Sequence, residues 1–236
     1  MTREYVMLPD IKRNCDDFHR SSGFGYLPLS NEYKVVELYN LEEDINSTKV
    51  VVYTLGSGSG WINVGRFGIN SLRTSQKYGV FLKGALHWMH ISDRKVFVFD
   101  LVEEKFHEHG LPLSHPFPVS TMCNSSIGVL GGLLYYYLGY LCPIIRCIYS
   151  DIWILKGNDD ICYMEEQVEQ EPLGWLKEFC IPGKRPFALT KSGCVLCFTY
   201  NSLSIYDAIS STSKELVDSL NFYRIIPHNN TLVSLK

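Results

Sequence analysis

The fold is decided by the stretch GVFLKGALHW at Gly79–Trp88, which is followed by VFVFD at Val96–Asp100. Two short apolar runs flank Gly84, and a third apolar run ends at an acidic residue. Short runs rich in Val and Phe and bounded by turn residues are typical of β-strands rather than helices. Glycine readily adopts the positive φ that is needed where two strands reverse tightly. The stretch therefore predicts a compact unit of three strands.

The same plan recurs at Gly128–Lys156 and Ala188–Asp207, and less regularly over Tyr33–Tyr53. The turn glycines of the three regular copies are separated by 48 and 61 residues: Gly84, Gly132 and Gly193. Kelch-type propeller blades repeat about every 50 residues. We therefore predict an all-β, kelch-like β-propeller, as an incomplete or open ring of about four to five blades. A β-sandwich is the structural alternative, because it also consists of many short strands.

The pattern predicts these strands: Tyr33–Tyr39, Lys49–Leu55, Tyr78–Leu82, Ala85–Met89, Val96–Leu101, Ser126–Leu130, Leu133–Leu138, Asp151–Leu155, Phe187–Thr190, Cys194–Tyr200 and Leu203–Tyr206. One of these regions needs an alternative reading, because Ile127–Ile145 carries no charge and is long enough to span a bilayer as a helix. Its Gly131–Gly132 pair is typical of a turn, and tyrosine collects at membrane interfaces rather than at a helix centre. We interpret the run as two buried strands.

Composition excludes several classes of protein. The 236 residues include 22 Lys and Arg against 25 Asp and Glu, a net charge of -3, which argues against a dedicated nucleic-acid-binding protein. No apolar targeting stretch follows Met1, so we expect a cytoplasmic or nuclear location and no membrane partner. The eight cysteines are expected to be reduced and mostly buried.

No arrangement of residues indicates catalysis, and we expect no enzyme activity, no cofactor and no metal. The glycine-rich run Gly56–Gly60 lacks the Gly-Lys-Ser/Thr ending of a phosphate-binding loop. Cys194 and Cys197 would point to opposite faces of a strand, so they cannot share one metal ion. His107 and His109 could offer two ligands from one face, but no third ligand has a suitable spacing.

Candidate partner-binding residues lie in loops. Trp61 follows the glycine-rich turn and could be exposed at a rim, where aromatic side chains often anchor protein interfaces. The long uncharged connection Leu113–Val119 contributes His115 and Phe117, because loops on a rigid scaffold frequently carry binding. An ordinary spacer is the alternative interpretation of this connection.

Six motifs in a fixed order resemble the plant F-box-associated domain family. They run from residue 23 to residue 207, and TREYVMLP at Thr2–Pro9 also resembles a family motif. The six are GFGYLPLSNEYKVV at Gly23–Val36, VYTLGSGSGW at Val52–Trp61, GALHW at Gly84–Trp88, FDLVEEKF at Phe99–Phe106, DIWILK at Asp151–Lys156 and IYD at Ile205–Asp207. The chain departs from the family pattern at turn positions Leu27, Gly60 and Lys83, the last replacing the usual Asn.

The resemblance implies a non-catalytic substrate-recognition module of a cullin–RING ubiquitin ligase, spanning residues 1–236 as one F-box-associated domain. The F-box, which would contact a Skp-type adaptor, is absent from the sequence, so we expect an N-terminally truncated form whose target protein is unknown. Arg224–Leu235 resembles a terminal strand pair whose partner would lie near Tyr5–Leu8 and upstream, which predicts an exposed sheet edge. The alternatives are a propeller enzyme acting on a small molecule, and a decoy that binds the target without recruiting a ligase.

Overall fold

Sixteen β-strands form the framework of the described chain. The computed structural model describes residues 7–11, 20–41, 44–67, 77–90, 94–112, 122–144, 146–156 and 174–218, and these ranges contain no helix. The strands make four sheets of four strands each, and within every sheet the strands lie side by side in chain order. Each sheet is therefore an antiparallel meander. The all-β prediction and the predicted repeating unit are confirmed.

The first compact unit consists of Met1–His109 and Asn229–Lys236. Its strands are β1 (Arg20–Leu27), β2 (Glu32–Leu41), β3 (Asp44–Thr54), β4 (Ile62–Phe67), β5 (Val80–Leu82), β6 (Ala85–His90), β7 (Lys95–Asp100) and β8 (Lys105–Gly110). Strands β1–β4 form sheet 1, and strands β5–β8 form sheet 2. The irregular copy of the repeat around Tyr33–Tyr53 thus becomes a complete four-stranded sheet.

Sheets 1 and 2 pack through one apolar core. Its buried members are Leu27, Val36, Leu38, Val50 and Val52 of sheet 1, with Leu86, Trp88, Phe99 and Leu101 of the second sheet and the turn after β7. The sheets approach closely at Gly23 of β1, where an added Cβ would stand 2.7 Å from a methyl carbon of Leu86. Lys34 extends from the same face of sheet 1 and donates hydrogen bonds to the Leu101 carbonyl and the Glu104 carboxylate, both at 2.8 Å.

A two-residue turn joins the first two strands of sheet 2. Lys83 and Gly84 connect β5 to β6 with φ values of 47° and 80°. Two successive positive φ values are the signature of a type I′ turn, whose twist matches that of the flanking strands. The Gly84 turn is therefore as predicted, and Lys83 occupies a left-handed conformation that glycine or asparagine adopts more readily.

The second compact unit is Gly110–His228. Its strands are β9 (Met122–Leu130), β10 (Leu133–Leu141), β11 (Ile148–Leu155), β12 (Trp175–Pro182), β13 (Arg185–Leu189), β14 (Val195–Phe198), β15 (Ser202–Asp207) and β16 (Thr212–Asp218). Strands β9–β12 form sheet 3, and strands β13–β16 form sheet 4. Gly131 and Gly132 make the β9–β10 turn with φ values of 59° and 79°, again a type I′ signature.

Sheets 3 and 4 share a core of their own. It contains Leu130, Tyr135, Tyr137, Ile152, Ile154 and Ile181 of sheet 3, with Val195, Cys197 and Tyr206 of sheet 4. The Tyr135 hydroxyl lies at the junction of these sheets and donates to the Pro186 carbonyl at 3.0 Å. The uncharged run from Ile127 falls on β9 and β10, which confirms its interpretation as strands. In the part of the chain that the structure describes, no helix has the length and apolarity needed to cross a membrane.

Five strands of the structure were not predicted from the sequence: β1, β4, β8, β12 and β16. All five lie at the edge of a sheet. Strand β16 is exposed at every position, and β8 is exposed at five of six, because nothing in the described chain covers their outer side. The predicted terminal strand pair at Arg224–Leu235 lies outside the described residues.

Candidate protein-binding surface

Trp61 stands at the end of the loop between β3 and β4. The loop contains Gly56, Gly58 and Gly60, with φ values of 77°, 71° and 72°. A Cβ added to any of these glycines would meet nothing within 4 Å, so backbone conformation and not close packing requires glycine there. The hydroxyl of Ser57 donates to the carbonyl of Thr54 at 2.9 Å and fixes the first bend. The loop joins the antiparallel strands β3 and β4 as a hairpin, as predicted.

The Trp61 side chain is half-buried and contacts two other parts of the first unit. Its indole Nε1–H donates a hydrogen bond of 2.7 Å to the carbonyl oxygen of Pro9. Its ring lies 5.4 Å from the ring of Tyr53, centroid to centroid, at an interplanar angle of 53°. The indole is therefore oriented by an aromatic neighbour on β3 and by a carbonyl of the segment at residues 7–11. Part of its surface remains open to solvent.

Further aromatic side chains lie on the same side of sheet 1. The Tyr33 ring is 4.6 Å from Tyr26 and 5.7 Å from Phe24, and it is stacked on Phe24 at 9°. Tyr26 faces Tyr33 across the β1–β2 pair, and Val35 faces Tyr53 across the β2–β3 pair, so all these side chains share one face. We call Phe24, Tyr26, Tyr33, Tyr53 and Trp61 the aromatic face.

The aromatic face is the side of sheet 1 that does not pack on sheet 2. Side chains alternate along a strand, and Leu27, Val36 and Val52 point to the shared core while their neighbours Tyr26, Val35 and Tyr53 point the other way. Phe24 has 50% of its side chain exposed, and the tyrosines are only partly covered. In the described part of the chain this is a partly exposed cluster of large rigid rings, a composition that favours contact with a protein partner.

The β1 end of this face carries charge. The guanidinium of Arg20 forms a two-pronged pair with the carboxylate of Glu37, with Nε donating to Oε2 at 2.6 Å. Ser22 of β1 pairs in parallel with Tyr78, since its N–H donates to the Lys77 carbonyl at 3.2 Å and its carbonyl accepts the Gly79 N–H at 2.7 Å. A polar cleft of about 220 Å³ opens beside this bridge. The cleft adds hydrogen-bonding capacity next to the apolar rings, which is the usual arrangement of a binding patch with a polar rim.

Two of the three residues predicted to contact a partner are not placed by the structure. His115 and Phe117, with the rest of the Leu113–Val119 connection, lie outside the described residues. Four members of the aromatic face other than Trp61 were missed by the sequence reasoning. Phe24 and Tyr26 alternate in the run FGYL, and this period of two was a signal that one face of a strand is aromatic.

Two cysteines and a tyrosine of the second unit have raised pKa values, which favour their protonated forms. Burial, helped by Asp151, raises the pKa of the Cys180 thiol to about 11. Burial also raises the pKa of Cys197 to about 12, and it raises the pKa of Tyr140, whose hydroxyl donates to Asp151 at 3.3 Å. A catalytic cysteine needs the opposite shift, because the thiolate is the nucleophile. These side chains therefore act as buried packing and hydrogen-bonding groups.

The histidines and cysteines that the structure describes do not assemble into a ligand set. His87 is buried, and its Nδ1 lies 3.1 Å from the Val80 carbonyl oxygen, so the ring is engaged by the backbone of its own sheet. Cys197 is buried while Cys194 is only partly covered. Among the residues that the structure describes, no three His, Cys, Asp or Glu side chains group closely enough to hold a metal ion.

Repeated four-stranded antiparallel meanders, with two sheets sharing one core in each unit, have the strand order of propeller blades. This chain belongs to the F-box associated beta propeller domain family, whose profile matches residues 1–155. The match covers sheets 1 and 2 and the first three strands of sheet 3. Sheet 4 lies beyond the matched residues and is also a four-stranded meander in chain order. The repeating unit therefore continues past the matched region. A search of curated proteins finds no significant relative of this chain.

Proposed function

We propose that this chain is the target-binding part of an F-box protein in a cullin–RING ubiquitin ligase, holding another protein for ubiquitination. The family membership supports an F-box protein context and protein partners. Contact with a Skp-type adaptor would require an F-box joined to this chain. We propose a cytoplasmic or nuclear location on the same basis.

The observation that carries the proposal is the aromatic face. Tyr and Trp are over-represented among the residues that dominate binding energy, because they bury a large area while losing little conformational freedom. Trp61 is oriented by Tyr53 and Pro9 before any partner arrives. A preorganised ring loses less entropy on binding than a mobile one. We place the target-binding surface here, with Trp61 as its anchor.

Two alternative functions, a propeller enzyme and a decoy, can be distinguished from a ligase receptor by experiment. A propeller enzyme needs convergent acid–base groups or a metal ion, whereas the thiols of Cys180 and Cys197 have raised pKa values that oppose nucleophilic chemistry. A decoy would bind the same target as a ligase receptor but would shield it. Stoichiometric metal in the purified protein would favour the enzyme.

The test joins an F-box to the N-terminus of the full chain and compares protein abundance in cells with that produced by the chain alone. We expect a small set of proteins to fall in abundance only with the fusion, and to recover when the proteasome is inhibited. A fusion carrying Trp61→Ala should lose this effect, whereas Leu189→Ala, at an exposed leucine of β13 in the second unit, should retain it. Targets that accumulate with the unfused chain would instead identify a decoy. If neither form changes any abundance, the receptor function is wrong.

A further inference from the structure

Cys142 and Cys147 stand opposite each other at the tip of the β10–β11 hairpin. The last paired residues of these strands are Leu141 and Ile148. One step further along, the N–H of Cys142 donates to the carbonyl of Cys147 at 2.9 Å. The two cysteines are therefore the next directly facing positions in the ladder. Facing residues of an antiparallel pair have Cα atoms about 4.5–5.5 Å apart, which is inside the usual range for a disulfide.

The two side chains leave the hairpin on the same face. Tyr140 faces Tyr149, and their rings stack at a centroid distance of 6.3 Å and an interplanar angle of 27°. Cys142 is two residues after Tyr140, and Cys147 is two residues before Tyr149. Because side chains alternate with a period of two, both thiols share the face of the tyrosine pair.

The hairpin tip is held closed at the cysteines. The N–H of Arg146 donates to the Cys142 carbonyl at 2.8 Å, and Arg146 has a φ of 53°, in the left-handed region. This bond and the bond from Cys142 to Cys147 keep the facing register beyond the last regular strand residues. The backbone at the tip therefore already places the two cysteines opposite each other, which a disulfide requires.

The two thiols differ in access. Cys147 is exposed, whereas Cys142 is buried, and both are free in the structure. Oxidation-sensitive pairs combine an accessible thiol, which reacts first with the oxidant, and a neighbouring thiol that resolves the product. The hairpin tip contains both an accessible thiol, Cys147, and a neighbouring buried thiol, Cys142.

We propose that Cys142 and Cys147 are a reversible oxidation site that forms an intramolecular disulfide with hydrogen peroxide. The thiolate of Cys147 attacks one peroxide oxygen, the O–O bond breaks, and a sulfenic acid and hydroxide are produced. The Cys142 sulfur then attacks the Cys147 sulfur, the S–O bond breaks, and the leaving hydroxide takes up a proton as water. Two thiols and one peroxide thus give one disulfide and two waters. A dithiol reductant reverses the change by thiol–disulfide exchange.

The test treats the purified full chain with hydrogen peroxide, blocks the remaining thiols, and maps tryptic peptides without reduction. Trypsin cleaves after Lys105, Arg146 and Lys156, so the two cysteines fall in different peptides, 106–146 and 147–156. We expect these peptides to appear joined, about 2 Da lighter than their sum, and to separate on reduction. The cross-link should form within one chain, with no covalent dimer.

Two controls make the assignment specific, because peptide 106–146 also contains Cys123. Cys142→Ser must abolish the joined species, whereas Cys123→Ser must leave it. Cys147→Ala, at an exposed position, serves as the second variant if Cys142→Ser fails to fold. Joined peptides that survive Cys142→Ser, linkage of Cys147 to any other cysteine, or unlinked peptides after peroxide treatment would each overturn the proposal.

Discussion

The indole Nε1–H of Trp61 donates a 2.7 Å hydrogen bond to the carbonyl oxygen of Pro9, which joins the β3–β4 loop to a segment 52 residues earlier in the chain. The same indole lies against Tyr53 within the aromatic face. This one bond therefore orients the anchor that we assign to target binding and also attaches residues 7–11 to sheet 1.

Trp61→Phe separates these two roles, because the ring is kept and the N–H donor is lost. A hydrogen bond of this kind contributes about 0.5–1.5 kcal/mol, so the segment at residues 7–11 should open about 2–10 times more often. Backbone ¹⁵N relaxation of the Leu8, Asp10 and Ile11 amides measures the added mobility of the segment. Tyr26→Phe is the matched control, since it removes the bond to Asn31 at 2.9 Å within the β1–β2 turn. Equal relaxation of these amides in Trp61→Phe and the native chain would show that the bond does not hold the segment.

Lys83→Asn should stabilise the protein. Lys83 has a φ of 47° in the type I′ turn before Gly84, a conformation that Asn adopts with less strain. We expect the free energy of unfolding to rise by about 0.5–1 kcal/mol, by relief of left-handed strain. Urea denaturation measures the change.

Lys191→Asn is the control for this substitution. Lys191 is an exposed lysine in the β13–β14 turn, and it is not among the residues with positive φ. The same replacement there should leave stability within about 0.5 kcal/mol, as is usual for surface positions. An equal gain at both positions would mean that loss of a lysine charge, and not turn geometry, produces the effect.

Gly23→Ala should destabilise the packing of sheet 1 on sheet 2. The new Cβ would lie 2.7 Å from one Leu86 methyl and 3.0 Å from the Trp88 ring. Both neighbours are completely buried, and side chains in a close-packed interior move aside only at a cost in free energy. Overpacking of this kind costs about 1–3 kcal/mol in urea denaturation.

Ser22→Ala provides the comparison at the adjacent position of β1, on the opposite face of the strand. It adds no atom and should change stability by less than about 0.5 kcal/mol. If Gly23→Ala unfolds at the same urea concentration as the native chain, the close approach of the two sheets is not required for stability.

The inner strands of every sheet were predictable, and the fourth strands were not, for a physical reason. A strand that is covered on both faces, such as β7 with its run VFVF, must be apolar at successive positions, which sequence shows directly. Strand β8 reads KFHEHG and β16 reads TSKELVD, because solvent covers their outer sides. Such strands are defined by backbone pairing to a neighbour, and this pairing leaves little trace in side-chain hydrophobicity.

The candidate site was partly predictable for a related reason. Trp61 could be found from its place after a glycine-rich turn, because that is a local signal. Its relation to Tyr33 and Phe24 depends on the register of β1, β2 and β3, which side-chain types alone do not fix. The hydrogen bond from Trp61 to the Pro9 carbonyl could not be predicted either, because no spacing rule connects residue 9 with residue 61.

Acid should weaken the fold through His87. Burial, opposed by the Val80 carbonyl and assisted by the charge of His109, holds the pKa of His87 below 6.5 in the folded state. Below pH 6.5 the unfolded chain binds a proton that the folded chain resists, so the free energy of unfolding falls until the lowered pKa is passed. Above pH 6.5 both states are neutral at this ring, and the contribution is constant. The slope from this one group is at most about 1.4 kcal/mol per pH unit.

Urea denaturation between pH 7.5 and 5 measures this slope in the native chain and in His87→Gln, which cannot titrate. The variant should show a shallower loss of stability below pH 6.5, because the remaining groups are the same in both proteins. Met89→Leu is the matched control on β6, since it disturbs a buried side chain without changing any titratable group. It should lower stability by a similar amount at every pH. Parallel curves for His87→Gln and the native chain would show that protonation of His87 does not oppose folding.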